Sequence, residues 1–288
     1  MIKVITDATN DLSLEFLKAN NIDLMPMNLT IEGKTFVDDK TLDLHKFYEG
    51  LRQGNLPTTS MINPIIYEET FEKYLKQGQD VLYIGFSSGL SGSFNASLLA
   101  KNNLESNYKN KIYCFDSKSA SMGMGILTIK ALELIKENKS IDTIVENLYV
   151  LREKICILLG VDNLYHLERG GRISKALAVI GSTLQLKPII KVNDEGKLIN
   201  FKKVMGKKKL IQTLFEYVLK YVDETELDNL YVISMDSKGD ATELKNKIDK
   251  TFNINVKIVE LGTIIGTHTG ADALAVIFVS KETKENIK

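Results

Sequence analysis

The chain has 288 residues, 44% of them hydrophobic and 26% charged, with 37 basic and 37 acidic side chains and a formal net charge of zero. This balance excludes wholesale disorder, a fibrous protein and a disulfide scaffold. It also argues against a nucleic-acid partner, because phosphate-backbone affinity draws on an excess of basic charge. The length suits one large domain or two ordinary ones.

The predicted elements alternate in the first half. KVIT (3–6) reads as a strand and DLSLEFLKAN (11–20) as a helix capped by Asp11 or Ser13. Residues 23–37 read as two strands about a turn at Gly33, and 42–54 as an amphipathic helix stopped by a glycine. NPIIYEETFEKYLKQG (63–78) is a helix with proline in its first turn, where it is tolerated. Strand 80–87, helix 93–106, strand 111–117 and helix 123–138 follow. The alternation predicts a mostly parallel, Rossmann-like sheet with helices on its faces.

The second half is less regular. A helix at 140–154 and a strand at 155–161 precede a glycine-broken polar stretch, 163–174. KALAVIGSTLQL (175–186) is apolar nearly all round and reads as a buried helix. A hairpin at 187–204 turns around Asp194–Gly196. Helix 207–222, strand 229–235, helix 239–251, strand 254–260 and a final strand near 273–279 complete the chain. We place a domain boundary near residue 155, giving α/β domains at 1–155 and 156–288, with the last strand free to return to either.

No apolar run is long enough for an integral membrane segment. The start of the chain lacks a signal-peptide pattern. Cys114 and Cys156 lie in apolar runs and read as buried free thiols, and with three scattered histidines they offer no metal-ligand spacing. These features point to a soluble, cytoplasmic protein with no cofactor or metal.

Several stretches can carry chemistry. GFSSGLSGSFN (85–95) follows a strand and opens a helix, with Ser87, Ser88, Ser91 and Ser93 among glycines. Unpaired N–H groups at such a helix start favour a carboxylate or phosphate. The loop has no lysine after its last glycine and is not a Walker A loop. LPTTSMINP (56–64) reads as a second hydroxyl-bearing loop, with Thr58, Thr59 and Ser60 before a cap at Asn63. GTIIGTHTGADALAV (262–276) places His268 between threonines and glycines, outside regular structure, without a paired acid to make it a general base. His45 and His166 read as surface residues. DSKSASMGMG (116–125) reads as close helix packing, RGGRIS (169–174) sets two arginines in a tight turn, and KKVMGKKK (202–209) is a local lysine cluster.

Taken in order, KVITDATNDLS, LPTTSMINP, GFSSGLSGSFNAS, FDSKSASMGMG, ERGGRIS, LKPIIKVNDEGKL and GTHTG resemble the DegV family of bacterial fatty-acid-binding proteins from end to end. The resemblance implies a two-domain α/β fold with a long-chain fatty acid buried between the domains. It implies carboxylate contacts from Thr59 and Ser91, with His268 nearby and Ser60, Ser88, Gly92 and Ser93 as further head-group candidates. It also implies a partner, a separate fatty acid kinase related to dihydroxyacetone kinases, which converts the bound lipid to an acyl phosphate. Arg169, Arg172, Lys203 and Lys207 are the candidate docking charges. Two departures stand out. The second loop continues Met61-Ile62-Asn63 where the family commonly has Gln-Pro-Ser, and Met205 lies in a basic segment that often carries arginine. The competing reading from the residues alone is an enzyme acting on a phosphorylated small molecule at the same loops, which hold phosphate as readily as carboxylate.

Overall fold

The computed structural model describes residues 1–174 and 185–288. Most of the helix expected at 175–186 therefore lies outside the described residues, and Leu186, expected at its end, opens a strand.

A parallel sheet organises the first half. It is built from β1 (Ile2–Asp7), β2 (Asp23–Met25), β6 (Asp80–Gly85) and β7 (Ile112–Asp116), in the order β2-β1-β6-β7. Helices α1 (Leu14–Ala19), α3 (Pro64–Leu75), α4 (Ser93–Leu104) and α5 (Met122–Lys136) alternate with these strands. The caps follow from composition. Ser13 accepts the Phe16 N–H at the start of α1, and Asn63 accepts the Ile65 N–H ahead of Pro64. Asp11, the other candidate cap of α1, turns elsewhere and accepts the Gly262 N–H.

A small antiparallel sheet, β4-β3-β5, joins β3 (Met27–Ile31), β4 (Lys34–Asp38) and β5 (Thr58–Ser60). Thr59 thus lies on a strand opposite Leu29, not in the loop expected from the sequence. Helix α2 (Leu44–Arg52) connects β4 to β5.

After α6 (Ile141–Arg152) comes a six-stranded sheet in the order β10-β9-β8-β13-β11-β12. Its strands are β8 (Ile155–Gly160), β9 (Leu186–Val192), β10 (Leu198–Met205), β11 (Tyr231–Ser234), β12 (Lys257–Glu260) and β13 (Leu274–Val279). The last strand is antiparallel to both neighbours and enters between β8 and β11, so it stays with this sheet.

Side chains alternate faces along a strand, and this sheet is apolar on both. On one face Cys156, Leu158, Ile189, Val232, Val276 and Phe278 pack with residues of α8 (Gly206–Tyr221) and α9 (Lys238–Phe252). On the other, Ile157, Leu159, Ile190, Val192, Ala275 and Ile277 join the core of the first half. Both thiols are free, and burial pushes each up to about 12, so they behave as apolar side chains.

Candidate functional site

The second face of the six-stranded sheet is not filled. A cavity of about 310 Å³ lies against it, floored by Ile157, Leu159, Ile190, Val192, Ala275 and Ile277. Phe86, Leu90 and Ala120 from the first half, and Leu261, Ile264 and Ile265 from the last connection, close other sides. A void of this size with an aliphatic lining is the pattern of a small-molecule site.

Its polar groups are few: Thr59, Ser60, Ser91, Ser121, Arg172, His268 and Thr269. Thr59 reaches it from β5, and its Oγ1 lies 2.9 Å from Nε2 of His268. His268 belongs to the last turn of α10 (Thr263–Thr269). The stretch expected outside regular structure is therefore a short helix, whose end brings the ring across to β5. Ser91 lies ahead of α4. Its Oγ accepts the Ser93 N–H at 3.2 Å and donates to the Ser93 Oγ at 3.1 Å.

His268 is largely buried, and burial, with Arg172, Arg169 and His166 adding positive charge, pushes its pKa down to about 3. Near neutral pH the ring is therefore uncharged. Its Nδ1 is buried and has no hydrogen-bond partner among the described residues. A hydrogen on Nε2 leaves only a lone pair unpaired at Nδ1. That tautomer also lets Thr59 accept from the ring and keep its own hydroxyl hydrogen for a ligand. Room for the ring depends on Gly170, where a β-carbon would stand 2.2 Å from Nδ1.

Arg172 was expected on the surface as a docking charge, but it lines the cavity. Its Nε donates to the Leu90 carbonyl at 3.1 Å and its Nη1 to the Gly170 carbonyl. Burial lowers its pKa, and no carboxylate among the described residues opposes that shift. The cavity thus contains a half-buried cation, a setting that favours an anionic ligand.

The other expected residues divide. Ser60 and Gly92 line the cavity beside Thr59 and Ser91. Ser88 does not, because its Oγ donates to Asp116 at 2.6 Å and its N–H to the same carboxylate. Ser93 is buried and used internally, its Oγ accepting the Ile62 N–H at 3.3 Å. Arg169 donates to the Pro57 carbonyl at 2.7 Å and so ties α7 (Tyr165–Arg169) to the strand carrying Thr59. Lys207 is tied down by Asp162 at 3.3 Å, Asp240 at 2.9 Å and the Asp272 carbonyl. Lys203 is a partly exposed residue of β10. Of the four proposed docking charges, three are therefore engaged within the fold.

The comparisons with known proteins agree with this architecture. A family model described as "Uncharacterised protein, DegV family" matches residues 1–281. The chain belongs to the DegV family. A DegV domain-containing protein of Clostridium perfringens is 37% identical over 286 residues, covering 98% of each chain. Among solved structures, the fatty-acid-binding DegV family protein of Streptococcus agalactiae has a TM-score of 0.86 at 27% identity, covering 98% of this chain and 99% of its own. DegV of Bacillus subtilis, described as a fatty acid binding protein, has a TM-score of 0.82 at 30% identity, covering 97% and 99%. In this DegV chain no helix among the described residues is long and apolar enough to cross a membrane. No cluster of metal-binding side chains occurs among them.

Proposed function

We propose that this chain binds a long-chain fatty acid in the cavity, with the carboxylate at Thr59, Ser91 and Arg172 beside a neutral His268. The observation that carries the reading is the division of the lining. Hydroxyls and one cation without an acidic partner among the described residues face aliphatic side chains from five strands of the six-stranded sheet. A carboxylate needs hydrogen bonds and a counter-charge to remain ionised in a dry site. The alkyl tail gains roughly 0.8 kcal/mol per buried methylene, enough over a dozen carbons to exceed much of the ~4–15 kcal/mol cost of association. A phosphorylated small molecule suits the aliphatic floor poorly, which disfavours the enzymatic alternative. The names of the Streptococcus and Bacillus relatives point the same way.

In this reading the two domains, 1–155 and 156–288, enclose the lipid between them. All strands of the parallel sheet precede that boundary, and the six-stranded sheet is drawn from residues 155–279. The protein is non-catalytic, has no cofactor and works in the cytoplasm. It presents the carboxyl group to a separate kinase of the dihydroxyacetone-kinase type, which brings ATP and metal.

The test is to titrate delipidated protein with palmitate, hexadecanol and inorganic phosphate. Palmitate should bind at least about tenfold more tightly than the alcohol, the worth of one charge-assisted contact. Equal affinity for the two would remove the head-group assignment, and tight binding of phosphate would favour the enzymatic alternative. Acyl phosphate formed from palmitate, ATP and Mg²⁺ without any kinase would refute the non-catalytic role.

A further inference from the structure

His268 meets Thr59 through Nε2, yet no group among the described residues orients the ring from its other nitrogen. Histidines at working sites are commonly oriented by a carboxylate or carbonyl on the second ring nitrogen. Here Nδ1 has no such partner among the described residues. Beyond the Thr59 contact, the placement of the ring follows the backbone of α10, a helix of seven residues.

The start of that helix is held by a cluster of buried groups from the first half of the chain. Asp11 Oδ1 accepts the N–H of Gly262, the N-cap, at 3.0 Å. The Thr263 hydroxyl donates to the carboxylate of Asp38. The Tyr48 hydroxyl donates to the Leu261 carbonyl at 2.9 Å. Asp11, Asp38 and Tyr48 are all buried. Gly266, one turn on, lies against the rings of Tyr48 and Phe47, where a β-carbon would come within 2.7 Å of the Tyr48 hydroxyl. His268 follows Thr263 by five residues, about 7.5 Å along the helix axis.

We propose that Asp11 and Asp38 are positioning residues, which anchor the start of α10 and thereby set His268 against Thr59 at the head-group end of the cavity. This rests on the fatty-acid reading of that site and adds to it two carboxylates that touch no ligand. Neither serves a neighbouring helix as a cap: Ser13 caps α1, and Asp43 caps α2. Asp11 is drawn away from the segment next to it in sequence to a residue 251 positions later. Burial raises the pKa of Asp11 against the pull of Lys40 and the Gly262 N–H. Asparagine, neutral and equally able to accept that N–H, is therefore the fitting conservative replacement.

The experiment uses the full chain, free of lipid and then with palmitate. Only three histidines are present, so ring ¹⁵N signals can be assigned with His268→Ala as reference. Asp11→Ala and Thr263→Val should each shift the His268 ring nitrogens in the lipid-free protein and weaken palmitate binding about fivefold or more. Asp11→Asn should restore both to near the parent values. Unchanged His268 signals in the folded Asp11→Ala and Thr263→Val proteins would overturn the proposal. So would failure of Asp11→Asn to differ from Asp11→Ala. If Asp11→Ala does not fold, Thr263→Val decides alone. If the parent protein binds no palmitate, the fatty-acid reading fails, while the lipid-free ring signals still decide the positioning role.

Discussion

Replacing Thr59 by valine deletes one hydroxyl and keeps the shape of the side chain. In the lipid-free protein the loss is the 2.9 Å contact with Nε2 of His268. An ordinary hydrogen bond of this kind is worth about 0.5–1.5 kcal/mol, and Thr59 is only half-buried, so the melting temperature should fall by a few degrees at most. With lipid bound, the same hydroxyl would donate to a charged oxygen in a site that already contains the half-buried Arg172. Such a bond is worth about 1.5–3 kcal/mol, which corresponds to roughly a 10- to 100-fold rise in Kd for palmitate. The bound state therefore loses more than the free state, and the difference appears as affinity. Calorimetric titration of the parent and Thr59→Val with palmitate and hexadecanol measures both parts. The alcohol should lose clearly less than the acid, because its hydroxyl carries no charge. A palmitate Kd within about twofold of the parent, in a folded variant, would place the carboxylate elsewhere in the cavity and refute the reasoning.

Gly170→Ala should push His268 away from Thr59, since the new methyl would overlap Nδ1. The expected result is weaker palmitate binding and a displaced ring signal, with circular dichroism showing an intact fold. Ala275 faces the cavity from the floor. Ala275→Phe should weaken binding of long chains by at least about tenfold and spare shorter ones, as titration across a chain-length series would show. The lowered pKa of His268 also makes stability depend on pH. Between its ordinary value of 6.5 and about 3, the unfolded chain takes up a proton that the folded ring does not. This contribution is complete above about 6.5 and is lost progressively as pH falls towards 3. His268→Asn should flatten that part of a denaturation-versus-pH curve, and an NMR titration of the parent should show no change at His268 between pH 5 and 8.

Much of the frame is legible from residues alone because each signal is local. Ser13, Asn63 and Ser140 cap the helices they precede, and the apolar runs at 80–85 and 155–160 are strands. The rest depends on distant partners. Thr58–Ser60 is a strand only because β3 pairs with it, and three residues have no periodicity of their own. The glycine- and threonine-rich segment at 263–269 has poor helix propensity, and Asp11, Asp38 and Tyr48 hold its start from far away in the chain. The serine loop shows the same limit. Ser88 and Ser91 look equivalent in sequence, but Asp116 at the end of the next strand takes Ser88 and leaves Ser91 to the cavity. The turn 169–174 gives two arginines without revealing that one lines the cavity while the other ties down the chain beside Thr59.

The occupant of the cavity is the most direct test of the account. Native mass spectrometry of the protein, purified gently from its host without added lipid, reads it in one measurement. The account predicts a one-to-one complex with a long-chain fatty acid, released as the free acid on denaturation and reduced in Thr59→Val and in Ala275→Phe. A polar phosphate compound in its place, or an empty protein that also fails to take up added palmitate, would contradict it.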